Sequence, residues 1–156
     1  MSKLAGGTET QADAATALAE QFAAGWRAGG PIERFVDHFA PLCHPEVRLL
    51  QPLSPPARGV GGMRRLFAPL FAAIPDLRGE VRRWGPTEDG LIIELTLRGT
   101  LGGRPLEWTT ADRIILRDGL MVERRAYFDP IPLLPGMLRS PRATLRLLRA
   151  MRKEPT

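Results

Sequence analysis

Apolar positions in the first half of the chain recur at helical spacing. Ala15, Leu18, Phe22 and Trp26 share one face of a helix expected over about 11–28, and Gly29-Gly30 stops it. Pro31 suits the first position of a second, short helix in which Ile32, Phe35, Val36 and Phe39 lie together. The segment 46–51 reads as a strand, ended by Pro52 and the Pro55-Pro56 pair. A third helix is expected over roughly 61–74, with Met63, Leu66, Phe67, Leu70, Phe71 and Ile74 three and four apart and a kink at Pro69. After Pro75-Asp76 the period falls to two. Strands are expected over about 77–84, 90–99, 105–117 and 120–129, with turns at Glu88-Asp89-Gly90 and Gly102-Gly103. This order specifies an α+β fold with helices on one face of a curved sheet. The run Pro130-Ile-Pro-Leu-Leu-Pro135 separates that sheet from a last short helix over about 140–152. Residues 1–10 read as a mobile leader, 11–134 as one domain and 135–156 as a helical tail.

The last two strands carry the most informative pattern. Trp108, Thr110, Asp112, Ile114 and Leu116 alternate with Glu107, Arg113 and Arg117. The turn Arg117-Asp118-Gly119 can close in two ways. A two-residue Asp-Gly turn sets Asp112 opposite Arg125; a three-residue loop with Gly119 in the left-handed region sets it opposite Arg124. The three-residue loop gathers Leu120, Val122, Arg124, Ala126 and Phe128 on the apolar face, so the pattern favours it. In that register Asp112 points inward and needs a partner or a task.

Composition narrows the classes. The 156 residues suffice for one domain with a real core, and 44% hydrophobic and 25% charged residues are ordinary for a soluble protein. No apolar run approaches the roughly 20 residues of a membrane span, and the N-terminus lacks the apolar stretch of a signal peptide. A single cysteine, Cys43, suits a reducing cytoplasm. The net charge of +5 invites a nucleic-acid reading until it is located. Residues 137–156 hold six basic residues against one acidic, whereas the rest carries 16 of each. In the tail, Leu145, Leu148 and Met151 form a stripe among Arg142, Arg146, Arg149 and Arg152. That stripe suits packing on the domain or contact with an anionic membrane surface. No aromatics interleave with the arginines, which argues against nucleic acid.

Asp112 is the first candidate for chemistry: an aspartate on an apolar face can serve as a general acid or base, its pKa raised by desolvation. The competing reading is an ion pair with Arg124. Gln51, at the end of the first strand, can orient a substrate or a water, or stand exposed. Asp129, before Pro130, can serve at a cavity mouth or cap the strand exit. His38 and His44 have no companion ligands, so no metal is expected. Gly59-Val-Gly-Gly lacks the Lys-Ser/Thr of a phosphate loop and reads as a helix start. Neither Ser54 nor Cys43 has a recognisable base beside it.

With Gly59 opening the third helix, Ile74-Pro-Asp-Leu77 closing it and Ala126-Tyr-Phe-Asp-Pro130 ending the sheet, residues 11–134 resemble the SnoaL-like branch of the nuclear transport factor 2-like superfamily. The resemblance implies a cone: a curved mixed or antiparallel sheet wrapped over three helices from the N-terminal half, with a deep apolar cavity between. It implies a homodimer through the outer sheet face. Relatives include ketosteroid isomerases, polyketide cyclases, epoxide hydrolases and non-catalytic binders, so fold does not decide function. Against the isomerases, Gln51 takes the place of the base, Phe22 that of a tyrosine and Asp112 that of a neutral aspartic acid. Against the epoxide hydrolases, Gln51 stands for an asparagine, Leu49 for a tyrosine and Ala126 for an aspartate, and the Arg-x-Asp pair is absent from Ile92–Thr96. The cyclases need least: one carboxylic group to shuttle a proton while the pocket folds the substrate. The expectation is therefore a cofactor-free isomerase- or cyclase-like enzyme for an apolar carbonyl compound. Asp112 is its acid/base, Asp129 the second choice and Gln51 an orienting amide. Phe22, Trp26, Leu49, Trp108, Thr110, Arg124, Ala126 and Phe128 are the expected pocket residues. A non-catalytic binder of a hydrophobic ligand and a divergent epoxide hydrolase are the alternatives.

Overall fold

The computed structural model describes the backbone of residues 5–152, with side chains from Thr10 onward. Helix α1 (Ala5–Ala28) begins ahead of the expected start near Gln11, so residues 5–10 of the expected leader are helical. Residues 1–4 of the leader and 153–156 of the tail lie outside the described residues. Gly29 ends α1 with φ +65° and its N–H on the Gly25 carbonyl at 3.0 Å, a left-handed cap that frees the chain to turn. Pro31 caps α2 (Ile32–Phe39) from outside rather than occupying its first turn. Phe35, Val36 and Phe39 of α2 are buried, as their spacing requires. A 3-10 turn (Ala40–Leu42) leads into β1 (Cys43–Leu50). The two-residue β2 (Ala57–Arg58), too short to leave a periodic signature, pairs with β1. Helix α3 (Gly59–Ala73) follows, with Pro69 inside it.

The remaining strands are β3 (Arg78–Thr87), β4 (Gly90–Leu101), β5 (Arg104–Arg117) and β6 (Leu120–Tyr127). They form one mixed, open sheet in the order β2-β1-β6-β5-β4-β3, antiparallel except where β1 runs parallel to β6. The helices pack on its inner face as an α+β cone. Trp26 is the hub of the core, its ring centroid 4.9 Å from Phe35 and 5.8 Å from Phe67.

The β5–β6 turn corrects the sequence expectation. Arg117 pairs with Leu120, so the turn has two residues, with Asp118 at φ 52° and Gly119 at φ 75°. These positive angles match the twist of a tight hairpin, and Asp-Gly is a sequence that adopts them. Parity is restored by a bulge, since Leu116 pairs with Met121 and Ile115 with Glu123, leaving Val122 unpaired. Met121, 1% exposed, is the core residue there, instead of Leu120 and Val122. Beyond the bulge Asp112 lies opposite Ala126 and Ile114 opposite Arg124. Past the bulge Asp112, Ile114, Arg124 and Ala126 thus face inward as expected, while between turn and bulge Met121 takes the place of Leu120 and Val122.

After β6 the chain does not simply pass to a last helix. A 3-10 turn (Ile131–Leu133), α4 (Leu134–Arg139) and α5 (Pro141–Arg152) follow one another. Pro132 and Pro135 stand in the opening positions of their turns, where the missing N–H has no helical partner to lose. The expected separator is therefore itself helical.

Candidate functional site

Two strands and a loop converge on Arg124. From β6 its side chain reaches diagonally past Ala126, whose small size leaves the room, to Asp112 on β5. Arg124 Nε donates to Asp112 Oδ2 at 2.6 Å. The Thr110 hydroxyl lies 3.2 Å from Asp112 Oδ1 and 3.3 Å from the Tyr127 carbonyl oxygen. Arg124 Nη1 donates to Gln51 Oε1 at 3.4 Å, and its guanidinium carbon stands 5.4 Å from the centre of the Phe67 ring. Asp112 is 0% exposed and Arg124 5%. This is a buried, hydrogen-bonded ion pair, and both carboxylate oxygens of Asp112 are engaged.

An apolar cavity of about 90 Å³ opens beside the pair. Of the candidate residues, Trp26, Gln51, Trp108, Thr110, Arg124, Ala126 and Phe128 line it. Phe22 and Leu49 do not reach it. They border a second void of about 10 Å³ deeper in the aromatic core, which Arg124 also touches. Asp112 stands behind Thr110 and Arg124 and is not on the cavity wall. Asp129 is away from the cavity: it is exposed, and its Oδ1 accepts the Ile131 N–H at 2.9 Å, capping the strand exit. Ile93 and Leu95, both 0% exposed, fill the stretch where an Arg-x-Asp pair was sought.

The last helix packs on the domain, one of the two placements its stripe allowed, and with α4, which the sequence did not suggest, it covers this cavity. Leu133, Met137, Leu147, Leu148 and Met151 close it from the C-terminal helices. Leu147, 8% exposed, is the buried residue of α5, while Leu145 is 49% exposed, so the helix is rotated from the stripe inferred above. Leu53, held at φ 66°, also borders the cavity. A larger open depression of about 740 Å³ lies along β3–β5; Arg98 there pairs with Glu80 at 3.2 Å and with Glu107, Asp76 holds Thr100, and no candidate residue lies in it.

Other candidates have satisfied structural roles. His38 Nε2 is 2.7 Å from the Gln21 carbonyl oxygen, and His44 Nδ1 accepts the Glu46 N–H at 3.1 Å. No cluster that could hold a metal ion occurs among the described residues. Burial pushes the Cys43 thiol up to about 11, against a smaller opposing pull from the Arg124 charge.

A family model for the SnoaL-like domain matches residues 16–124. Solved structures with the same fold include a protein of Jannaschia sp. CCS1 assigned as a SnoaL-like polyketide cyclase, with 18% identity, TM-score 0.65, and 81% of this chain and 90% of that one covered. An LEH-like epoxide hydrolase of M. tuberculosis has 17% identity, TM-score 0.65, and 87% and 97% covered. TerC, crystallised with polyporic acid, has 18% identity, TM-score 0.67, and 78% and 96% covered. No curated protein matches the chain in sequence.

Proposed function

The chain belongs to the SnoaL-like domain family, and on that premise we propose a cofactor-free enzyme of isomerase or cyclase type for an apolar, carbonyl-bearing molecule. One observation carries the reading: Arg124 is the single charged side chain, among the described residues, on the wall of an apolar cavity. A fixed guanidinium in a dry site stabilises negative charge as it develops on a carbonyl oxygen becoming an enolate. Asp112 holds that guanidinium through Nε and Gln51 Oε1 accepts from Nη1, which leaves Nη2 to meet the ligand. Gln51 Nε2 donates to Ser54 Oγ at 3.5 Å and keeps its second N–H for the ligand, its Oε1 being taken by Arg124.

In this arrangement Asp112 is reached indirectly. A proton leaving an enolisable carbon would pass to the Thr110 oxygen as the hydroxyl gives its own proton to Asp112 Oδ1. The sequence-based role of Asp112 as a group in direct contact with substrate is replaced by one of positioning and proton storage. TerC, which shares this fold, was co-crystallised with polyporic acid. A homodimer through the outer sheet face, where Ile92 and Tyr127 are 45% and 54% exposed, belongs to the same proposal and is checked by sedimentation.

The test uses 2-naphthol, whose fluorescence distinguishes phenol from phenolate. The protein should bind it as the anion, and Arg124→Met should weaken binding about 10- to 100-fold, the worth of a charged hydrogen bond. Equal binding by that variant would overturn the proposal. A second reading, a non-catalytic binder, is favoured by the absence of any carboxylate on the cavity wall among the described residues. Naphtholate binding without conversion of enolisable 1,3-dicarbonyl compounds would select it.

A further inference from the structure

The helices that cover the cavity have a second face. Leu133, Met137, Leu147, Leu148 and Met151 look inward. Ile131, Leu134 and Leu138, three and four residues apart, are 66%, 46% and 75% exposed, and Leu145 is 49% exposed. Arg139, Arg142, Arg146, Arg149 and Arg152 are exposed along the same two helices, and residues 130–152 contain no carboxylate. None of these five arginines has an acidic partner among the described residues. Elsewhere arginines are commonly paired, as Arg48 with Glu123 at 3.0 Å and Arg82 with Glu80 at 2.8 Å.

Large aliphatic side chains standing in water among unpaired guanidinium groups fit an anionic bilayer. The aliphatics enter the boundary between headgroups and acyl chains, and the arginines meet the lipid phosphates. A nucleic acid would satisfy the arginines and leave the four aliphatic residues in water. No helix among the described residues is long and apolar enough to cross a membrane, so the contact is a surface one.

The cavity beneath this cover is small. At about 90 Å³ it holds roughly three waters, well under the ~300 Å³ at which small-molecule sites begin. Any ligand of the proposed class therefore requires the cover to move. Its hold on the body is mainly apolar: α5 packs on α3 and α4 on β5, Ser140 between them donates from Oγ to the Leu101 carbonyl at 3.2 Å, and Leu147 is the one cavity-facing cover residue that is buried. We propose that α4–α5 is a membrane-docking cover. Its outer face seats on an anionic lipid surface, and seating draws the inner face off the cavity, so that an apolar ligand passes from the bilayer to Arg124. The inference rests on the cavity being the ligand site, and does not require that chemistry follow.

The full chain is tested by flotation with phosphatidylglycerol/phosphatidylcholine vesicles and with phosphatidylcholine alone. Acrylamide quenching is followed in a Trp84→Phe background, so that Trp26 and Trp108 of the cavity wall report. Binding should favour the anionic vesicles about tenfold or more and weaken at high salt. Quenching should rise on binding. Leu134→Asp with Leu138→Asp, at exposed positions that leave the far-UV spectrum unchanged, should lose about tenfold or more. Four results would overturn the proposal: no binding to anionic vesicles, binding unaffected by the two aspartates, tighter binding to an oligonucleotide than to vesicles, or binding without increased quenching. The double variant Asp112→Leu with Arg124→Met separates this from the proposed function. It should lose naphtholate binding and still float with vesicles.

Discussion

A guanidinium only 5% exposed is tolerable because a carboxylate faces it, so Asp112 and Arg124 are coupled energetically before they are coupled in function. Removing one partner of a buried pair strands the other and costs about 3–5 kcal/mol, whereas replacing both by apolar groups is often neutral. Asp112→Asn should therefore destabilise the protein by about 3 kcal/mol in urea unfolding. Asp112→Leu with Arg124→Met should recover most of that loss while abolishing naphtholate binding. A double variant no more stable than the single one would remove the case for coupling. Cys43 gives a second prediction, with its sign set by linkage. Its thiol is held at about 11 in the fold against 9.0 when unfolded, so the folded state keeps the proton longer. Stability should fall as pH rises from 9 to 11, by about 2 kcal/mol in all. Cys43→Ala should flatten that slope; an unchanged slope would assign it to other groups.

At the scale of elements, the fold depends on a few polar fastenings between segments distant in sequence. Asp76, in the turn after α3, accepts the Thr100 N–H on Oδ1 and the Thr100 hydroxyl on Oδ2, each at 2.8 Å. These hydrogen bonds, hydroxyl first, hold the Asp76 carboxyl below its ordinary value of 3.8. A lowered carboxyl pKa adds stability above the unfolded value and loses it as pH falls through the folded one. Asp76→Ala should thus cost about 1–2 kcal/mol at neutral pH and progressively less below pH 3.8, as read from acid unfolding of both proteins. The same scale shows what the sequence could convey. Helical spacing located α2 and α3 because Phe35, Val36, Phe39, Leu66 and Phe67 all had to reach one core. Alternation placed Asp112 and Arg124 inward because neighbouring apolar residues fixed the face. It could not reveal the bulge at Val122, since a two-residue turn plus one unpaired residue produces nearly the same alternation as a longer turn. It could not separate Asp112 from the cavity wall either, because facing inward and touching a cavity depend on what the facing helices fill.

At the scale of the whole molecule, the cover is the least local feature, and only its second helix was legible in sequence. Prolines at 130, 132 and 135 mark punctuation in a linear reading, yet two of them begin helical turns that fold α4 and α5 over the mouth of the cone. The hydrophobic core lies below that mouth, around Trp26, Phe22 and Phe35, each 2% exposed or less. The cover therefore adds to a core already complete. Ending the chain after Pro130 removes Leu147, the only one of its cavity-facing residues that is buried, together with partial burial of Leu133, Met137, Leu148 and Met151. At about 1.5–3 kcal/mol for a fully buried side chain, the truncated protein should lose a few kcal/mol and remain folded. Its cavity should admit 2-naphthol faster, since the α4–α5 barrier is gone, and it should no longer float with anionic vesicles. Stopped-flow fluorescence measures the first effect and flotation the second. Faster uptake with vesicle binding intact would place the docking surface elsewhere on the molecule. Unchanged uptake would mean that ligands reach Arg124 past Leu53 and Gln51 instead, through the loop after β1.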